Sequence, residues 1–332
     1  MINWDHLADE VIKGYDINNL EALHILQAPD EEVLPLLHAA FKIRSTYYGK
    51  KVKLNMIQNI KSGYCPENCS YCSQSIDSTA PIEKYTMLTK EEILAGAKRA
   101  NDLQSGTYCI VASGRGPTNR ELSIVTEAVE EIKEKYPSMK ICACLGILRD
   151  GQVEKLKEAG VDRYNHNLNT SRSHYPEIAT THTYDDRVAT VNEVKNVGIS
   201  PCSGVIIGMK ETIDDVIEMG NSLKALDVDS VPVNFLHAIE GTRLEGTDEL
   251  NPMYCLKVLA YFRFKLPTKE IRISGGREKN LRSLQALGLY AANSIFVGDY
   301  LTTDGQEANR DHQMIKDLGF EIEYDSQPAS ST

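Results

Sequence analysis

No stretch of the 332-residue chain approaches the ~18 consecutive apolar residues of a membrane-spanning helix, so no membrane partner is expected. Excess basic charge is also missing. Lys and Arg number 36 against 47 Asp and Glu, a formal net charge of -11, which argues against a nucleic acid gripped through its phosphates. The opening residues, MINWDHLADEVIKGYDINNL, carry charges throughout and no apolar h-region, so a cytoplasmic rather than secreted protein is expected. No Pro-, Ser- or Gly-rich linker and no short-period repeat divides the barrel-like region described below, which leaves one domain with an extension as the economical reading. What the chain does have is an ordinary globular composition, 42% hydrophobic and 25% charged, and eight cysteines. In a reducing compartment so many thiols point to metal or redox chemistry more than to disulfides, although free cysteine also serves as a small core residue.

Residues 2–49 place Leu20, Leu23, Ile25, Leu34, Leu37 and Ala40 at helical spacing, which predicts a helical extension over 1–50. Beyond it, short apolar runs alternate with amphipathic helices. The runs occupy 52–60, 107–113, 140–146, 161–169, 200–208, 228–236, 270–276 and 293–299. Patterns such as RELSIVTEAVEEIKEKY and YDDRVATVNEVKNVG lie between them, several closed by Gly as a C-cap would be. About eight such units predict an α/β fold, a (β/α)8 TIM-type barrel over 51–320, in preference to a doubly wound sheet. The end of the chain, DSQPASST, is small and polar, and 321–332 are expected to form a disordered tail.

Directly after the first strand, GYCPENCSYCSQS sets Cys65, Cys69 and Cys72 in a C-x-x-x-C-x-x-C array. Three thiolates on one short loop can hold three corners of an iron-sulfur cube, and with no fourth cysteine nearby the last iron stays open to a substrate or cofactor. Zinc is the competing reading, but zinc modules usually pair two such elements and no second pair stands near this one. The spacing, with Tyr71 just before the last cysteine, resembles the signature of the radical S-adenosylmethionine enzymes. The resemblance implies a [4Fe-4S] cluster on Cys65, Cys69 and Cys72 as the catalytic centre, with Tyr71 on the S-adenosylmethionine side. It also implies a 5'-deoxyadenosyl radical made by reductive cleavage of that cofactor.

Five cysteines remain. Cys109, Cys142, Cys144 and Cys202 fall within three strand candidates, and Cys255 within the helical pattern PMYCLKVLAYFRF. Cys142 and Cys144 are two apart and share a strand face. Arg272 also falls in a strand candidate, where an unpaired arginine would be expensive. Small core filler remains an open reading for each thiol taken singly.

The strings YNHNLNTS (164–171), PCSGVIIGMKET (201–212), VPVNFL (231–236), IRISGGRE (271–278) and ANSIFVGDYLTT (292–303) resemble the biotin synthase family, in its order and over nearly the whole barrel. The resemblance implies that Cys109, Cys142 and Cys202 ligate a [2Fe-2S] cluster with Arg272 as an unusual fourth ligand. Cys144 is then a spare thiol and Cys255 packs on an outer helix. It further implies sulfur insertion into dethiobiotin: the radical abstracts hydrogen from the substrate methyl carbon, the carbon radical attacks a bridging sulfide of the inner cluster, and a second radical closes the thiophane ring. A flavodoxin- or ferredoxin-type electron donor and a homodimer belong to the same implication.

Asn165, Asn167 and Asn169 alternate and would share one face of a strand, a row of amides suited to a polar ligand and unsuited to a dry core. By resemblance Asn167 meets the ribose and the substrate ureido ring, and Asn169 the ribose, where many relatives carry aspartate. Asn234 resembles the ureido-binding asparagine. Arg187 resembles the arginine that meets the methionyl carboxylate, with a surface ion pair to Asp185 or Asp186 as its competing reading. Thr302 and Thr303 could hold the substrate carboxylate at the start of the following helix. His166 is expected to be a hydrogen-bonded barrel histidine, and Arg243 of GTRL departs from the more frequent GTPL. Other radical enzymes would share the cysteine triplet without all of Cys109, Cys142, Cys202 and Arg272. An iron-sulfur electron-transfer protein would be expected to add a fourth cysteine near the triplet and would not need an asparagine-lined interior.

Overall fold

A computed structural model describes residues 2–324. Three helices come first: α1 (Trp4–Ile12), α2 (Asn19–Leu26) and α3 (Val33–Tyr48). The barrel then runs β1 (Lys51–Lys61), α4 (Lys90–Asp102), β2 (Thr107–Ala112), α5 (Asn119–Lys135), β3 (Lys140–Cys144), α6 (Gln152–Glu158) and β4 (Arg163–Asn165). It continues through α7 (Tyr175–Ile178), α8 (Tyr184–Asn196), β5 (Ser200–Cys202), β6 (Val205–Ile207), α9 (Ile213–Ala225), β7 (Ser230–Phe235) and α10 (Pro252–Lys265). The last elements are β8 (Glu270–Ile273), α11 (Arg277–Leu281), α12 (Gln285–Gly288), β9 (Ser294–Phe296), α13 (Ala308–Asp317) and β10 (Glu321–Ile322). Each of the eight apolar runs contains a strand. The fifth holds two, β5 and β6, which both lie beside β7.

All pairings between named strands are parallel, and β1 pairs with both β2 and β9, through Ile57↔Cys109 and Leu54↔Ile295, so the sheet closes on itself as a (β/α)8 barrel. Helix starts are set locally. Thr89, Thr118, Thr183 and Thr212 each cap a helix with the hydroxyl, and the acidic residue three positions on returns to the cap nitrogen. In α5, Leu122, Val125, Val129 and Ile132 recur at three- and four-residue spacing and are buried. Gly198, at φ +77°, ends α8 in the left-handed region, as the Gly-closed pattern predicts.

The strand break between β5 and β6 has a steric cause. Gly204 lies so close to β7 that a Cβ there would stand 1.9 Å from the Pro232 carbonyl oxygen. The extension packs on α10, whose residues from Cys255 to Lys265 are all buried. Ion pairs Lys257–Asp30 at 2.7 Å and Lys265–Asp16 at 2.9 Å fasten the two together, and Cys255 packs there as expected.

Two expectations need correction. The tail boundary lies later than 321: β10 pairs with the start of β1, Lys51↔Glu321 and Val52↔Ile322, because the edge of β1 below the barrel offers free backbone groups. Residues 325–332 lie outside the described residues. The predicted strand 161–169 is shorter than expected, since β4 ends at Asn165 and Asn169 turns to φ +70°. Beyond Asn165 the chain follows the β5–β6 break, with His166 N donating to Cys202 O and Asn169 N to Gly204 O.

Candidate functional site

A cavity of ≈ 320 Å³ opens inside the barrel and reaches both cysteine groups. Cys65, Cys69 and Cys72 lie on the loop that leaves β1, at the end of the barrel where the strands terminate. The loop is tightly held. Ser70 N donates to Ile178 O at 2.9 Å, and Gly63 N to Gln74 Oε1 at 3.0 Å. The Asn68 carboxamide oxygen accepts from Thr180 N at 3.0 Å. Arg243 donates to Asn68 O and, at 3.3 Å, to Ile178 O, so the departure in GTRL supplies a strut to the cysteine loop. Burial pushes the Cys72 thiol up to about 12 and raises Cys65 and Cys69 in the same direction, so these thiols stay protonated at neutral pH unless a bound cation offsets the cost of burying a thiolate.

Deeper in the barrel, Cys109 and Cys142 are register partners on β2 and β3. The Cys142 thiol interacts with the thiols of both Cys109 and Cys202, which gathers three sulfurs from three strands. Asn165 Nδ2 donates to Cys202 Sγ at 3.4 Å. Cys144 lines the cavity one step further along β3. Arg272 is 1% exposed and is not left unpaired: Nη2 donates to Glu270 Oε1 at 2.6 Å and to Ser230 Oγ at 3.2 Å, and Nε to Ser294 Oγ at 3.2 Å. Those bonds leave Nη1 outside them, in a side chain that lines the cavity beside the Phe296 ring. Burial alone would lower the Arg272 pKa, but Glu270 and the thiols of Cys202, Cys109 and Cys142 reverse that and hold the guanidinium protonated.

Glu270 also meets Arg163 at 2.8 Å and Lys53 at 3.4 Å, so on the barrel floor beneath the thiols one buried carboxylate serves buried Arg272 and two partly exposed cations. Sequence reading missed this cluster. Its signal was present, since Glu270 stands two residues before Arg272 and shares its strand face.

Arg187 is buried against the cavity, and the expected surface alternative fails because its candidate partners are otherwise engaged. Asp185 pairs with Arg172 at 2.7 Å, and Asp186 accepts from Thr183 N at 2.8 Å. Arg187 donates instead to Tyr175 Oη at 2.5 Å, Asn167 O at 2.9 Å and His182 Nε2 at 2.8 Å. Tyr71 Oη accepts from Asn169 Nδ2 at 2.8 Å, joining the cysteine loop to the asparagine segment. Asn165, Asn167 and Asn169 all line the cavity, Asn165 from the end of β4 and the other two from the turn that follows rather than from one strand face. Asn167 Oδ1 accepts from Gly204 N at 2.9 Å. Asn234 also lines it, anchored by Nδ2 to Val205 O at 3.0 Å and by Oδ1 from Gly275 N at 2.9 Å.

Thr302 and Thr303 are placed less closely. Thr302 Oγ1 lies 2.8 Å from Ser73 Oγ, while the neighbouring Leu301 lines the cavity. The expected helix start is not there, because α13 begins only at Ala308. His166 departs from expectation as well, since its buried Nε2 has no hydrogen-bond partner among the described residues. His237 is exposed beyond β7.

Residues 59–223 match the Radical SAM superfamily, and 232–321 the Biotin and Thiamin Synthesis associated domain. Biotin synthase from Bacillus licheniformis is 68% identical over 323 residues, 97% of each chain. That from Lysinibacillus sphaericus is 69% identical over 322 residues, again 97% of each. The chain belongs to the biotin synthase family. Among solved structures, methylornithine synthase matches this biotin synthase-family barrel with a TM-score of 0.84 at 22% identity, over 95% of this chain and 97% of that one. The FeFe-hydrogenase maturase from Carboxydothermus hydrogenoformans matches with 0.81 at 19%, over 97% and 80%, and both likenesses bear on the fold alone.

Superfamily membership implies a [4Fe-4S] cluster and S-adenosylmethionine, and the donor chemistry of this biotin synthase-family site fits them. Three thiols share one loop, and a buried cation and a row of amides face the same cavity. Among the described residues no three His, Cys, Asp or Glu side chains stand at the spacing of a single metal ion. A cluster makes no such demand, since each thiolate binds a different iron.

Proposed function

We propose that the chain forms biotin from dethiobiotin by radical sulfur insertion. In this reading Cys65, Cys69 and Cys72 hold the [4Fe-4S] cluster, and Cys109, Cys142, Cys202 and Arg272 hold a [2Fe-2S] cluster that serves as sulfur donor. The observation that carries the proposal is one cavity that reaches a loop of three cysteines and, deeper, a second set in which Cys142 stands beside both Cys109 and Cys202, next to a buried arginine. When bound, the outer cluster and S-adenosylmethionine supply the 5'-deoxyadenosyl radical, and the inner cluster supplies sulfide.

The chain's own residues bind, orient and enclose. Arg187 offers a buried positive charge for the methionyl carboxylate, and Tyr71 and Asn169 stand together on the same side. Asn167 and Asn234 keep amide groups in the cavity wall for the ribose and the ureido ring. Thr302 and Thr303 are assigned to the substrate's carboxylate tail through their hydroxyls and the surrounding turn. The Glu270 carboxylate fixes Arg272 beneath the thiols. Family resemblance is the support for a homodimer, a flavodoxin- or ferredoxin-type donor and a cytoplasmic setting.

Anaerobic reconstitution with iron and sulfide, followed by Mössbauer spectroscopy, tests the proposal. Two cluster types are expected, and a single type would sink the two-cluster assignment. Cys202→Ala should still bind S-adenosylmethionine yet make no biotin, and biotin formation by that variant would remove Cys202 from the ligand set.

A further inference from the structure

Arg187 is a buried guanidinium that forms no ion pair among the described residues, an arrangement that is costly unless the charge serves a ligand. Its Nη2 faces His182 Nε2 at 2.8 Å. Guanidinium nitrogens only donate, so His182 Nε2 must carry its lone pair there, and the ring proton must sit on Nδ1. Nδ1 in turn lies 2.5 Å from Glu67 Oε2, a pure acceptor when ionised. The two contacts therefore select the neutral Nδ1–H tautomer. Burial and the Arg187 charge also push the imidazole pKa down, which agrees with a neutral ring.

Glu67 is no ordinary neighbour. It sits between Cys65 and Cys69 in the cysteine loop, where Thr181 Oγ1 also donates to it and Arg115 Nη1 meets it at 3.2 Å. A direct Glu67–Arg187 contact would neutralise the guanidinium. The interposed imidazole passes on the alignment of a hydrogen bond while keeping the carboxylate out of contact, so the charge of Arg187 remains available to an incoming anion. Tyr175 completes the frame, its ring edge-on to His182 at 5.9 Å between centroids and its hydroxyl 2.5 Å from Arg187 Nε.

We propose that His182 is a positioning residue which, through one neutral tautomer, fixes the Arg187 guanidinium in register with the cysteine loop, so that a carboxylate-bearing cofactor meets the loop and the cation in a single geometry. The proposal rests on the radical S-adenosylmethionine reading of the cavity and assigns the work to a residue of this chain that does not line up with any cluster ligand.

The test is equilibrium binding of S-adenosylmethionine to the anaerobically reconstituted full-length enzyme, with iron content measured on the same samples. His182→Leu can neither donate to Glu67 nor accept from Arg187, and should weaken binding about tenfold while raising KM far more than it lowers kcat. His182→Gln can do both through its amide and should stay within about threefold of the wild type. Equal affinity in His182→Leu and wild type would overturn the proposal, as would equal losses in both variants, which would reduce His182 to packing. Should the leucine variant fail to fold, nitrogen NMR of histidine-labelled wild-type enzyme decides. The Nδ1–H tautomer is expected, and an Nε2–H or doubly protonated ring would overturn the assignment. Wild-type enzyme that takes up iron but binds no S-adenosylmethionine would sink the underlying reading of the cavity, and the inference with it.

Discussion

Buried imidazoles make this barrel sensitive to acid. His166 is 5% exposed, its Nε2 has no hydrogen-bond partner among the described residues, and burial together with the Arg187 charge drives its pKa well below 6.5. The unfolded chain therefore takes up a proton near pH 6.5 that the folded chain refuses, so the stability contributed by the neutral ring is present above that pH and declines as pH falls below it. His166→Asn should flatten this decline. Thermal unfolding followed between neutral and mildly acid pH checks it, and parallel pH profiles for variant and wild type would rule His166 out as a source. The same scale shows what a sequence conveys about a site. The triplet of Cys65, Cys69 and Cys72 is legible because all three cysteines sit on one short loop. Glu270 is legible in principle, two residues before Arg272, but its partners Arg163 and Lys53 come from β4 and β1, and nothing in their spacing announces a meeting on the barrel floor. His182 carries no such local signal, because its role depends on Glu67, 115 residues away in the chain.

Among the elements, the fifth barrel strand departs furthest from an ideal run. Its residues 200–208 read as one strand, yet Gly204 interrupts them where β7 comes within contact of the backbone. The break releases Gly204 N to Asn167 Oδ1 and sends the chain after β4 into the turn that carries Asn167 and Asn169 to the cavity. Alternation alone could not reveal this, because the period-2 reading of YNHNLN assumes an unbroken neighbour to pair with. Gly204→Ala should force β7 and the asparagine turn apart, since the new Cβ would stand 1.9 Å from Pro232 O. A loss of about 1–3 kcal/mol in denaturant unfolding is expected, the range for overpacked cores, accompanied by weaker S-adenosylmethionine binding through displaced Asn167. Unchanged stability would mean that β7 accommodates the methyl group without cost.

For the whole molecule, the eight repeats were readable from alternating runs and capped helices, each a local property. Closure was only a matter of counting, because the bond between β1 and β9 joins the two ends of the barrel sequence. The docking of the extension was hidden for a different reason. Its target, α10, is buried on every side, so it shows no polar face from which a covering layer could be inferred. Arg44 adds a second tie between extension and barrel, at the far end of α3. Fully buried on α3, it donates to Ala292 O at 2.8 Å, Gly49 O at 2.5 Å and Lys51 O at 2.8 Å, spanning the exit from α3, the start of β1 and the approach to β9. Burial lowers its pKa to about 10, still above neutral pH, so the group stays charged, and the three carbonyls solvate that charge. Arg44→Met keeps much of the volume but leaves the buried Ala292 carbonyl and the part-buried Gly49 and Lys51 carbonyls without this donor, and should destabilise the chain by about 3 kcal/mol. Because the same seam carries the β1–β9 closure, unfolding of the variant should remain a single transition at lower denaturant, whereas a separate early transition for the helical extension would show that it folds apart from the barrel.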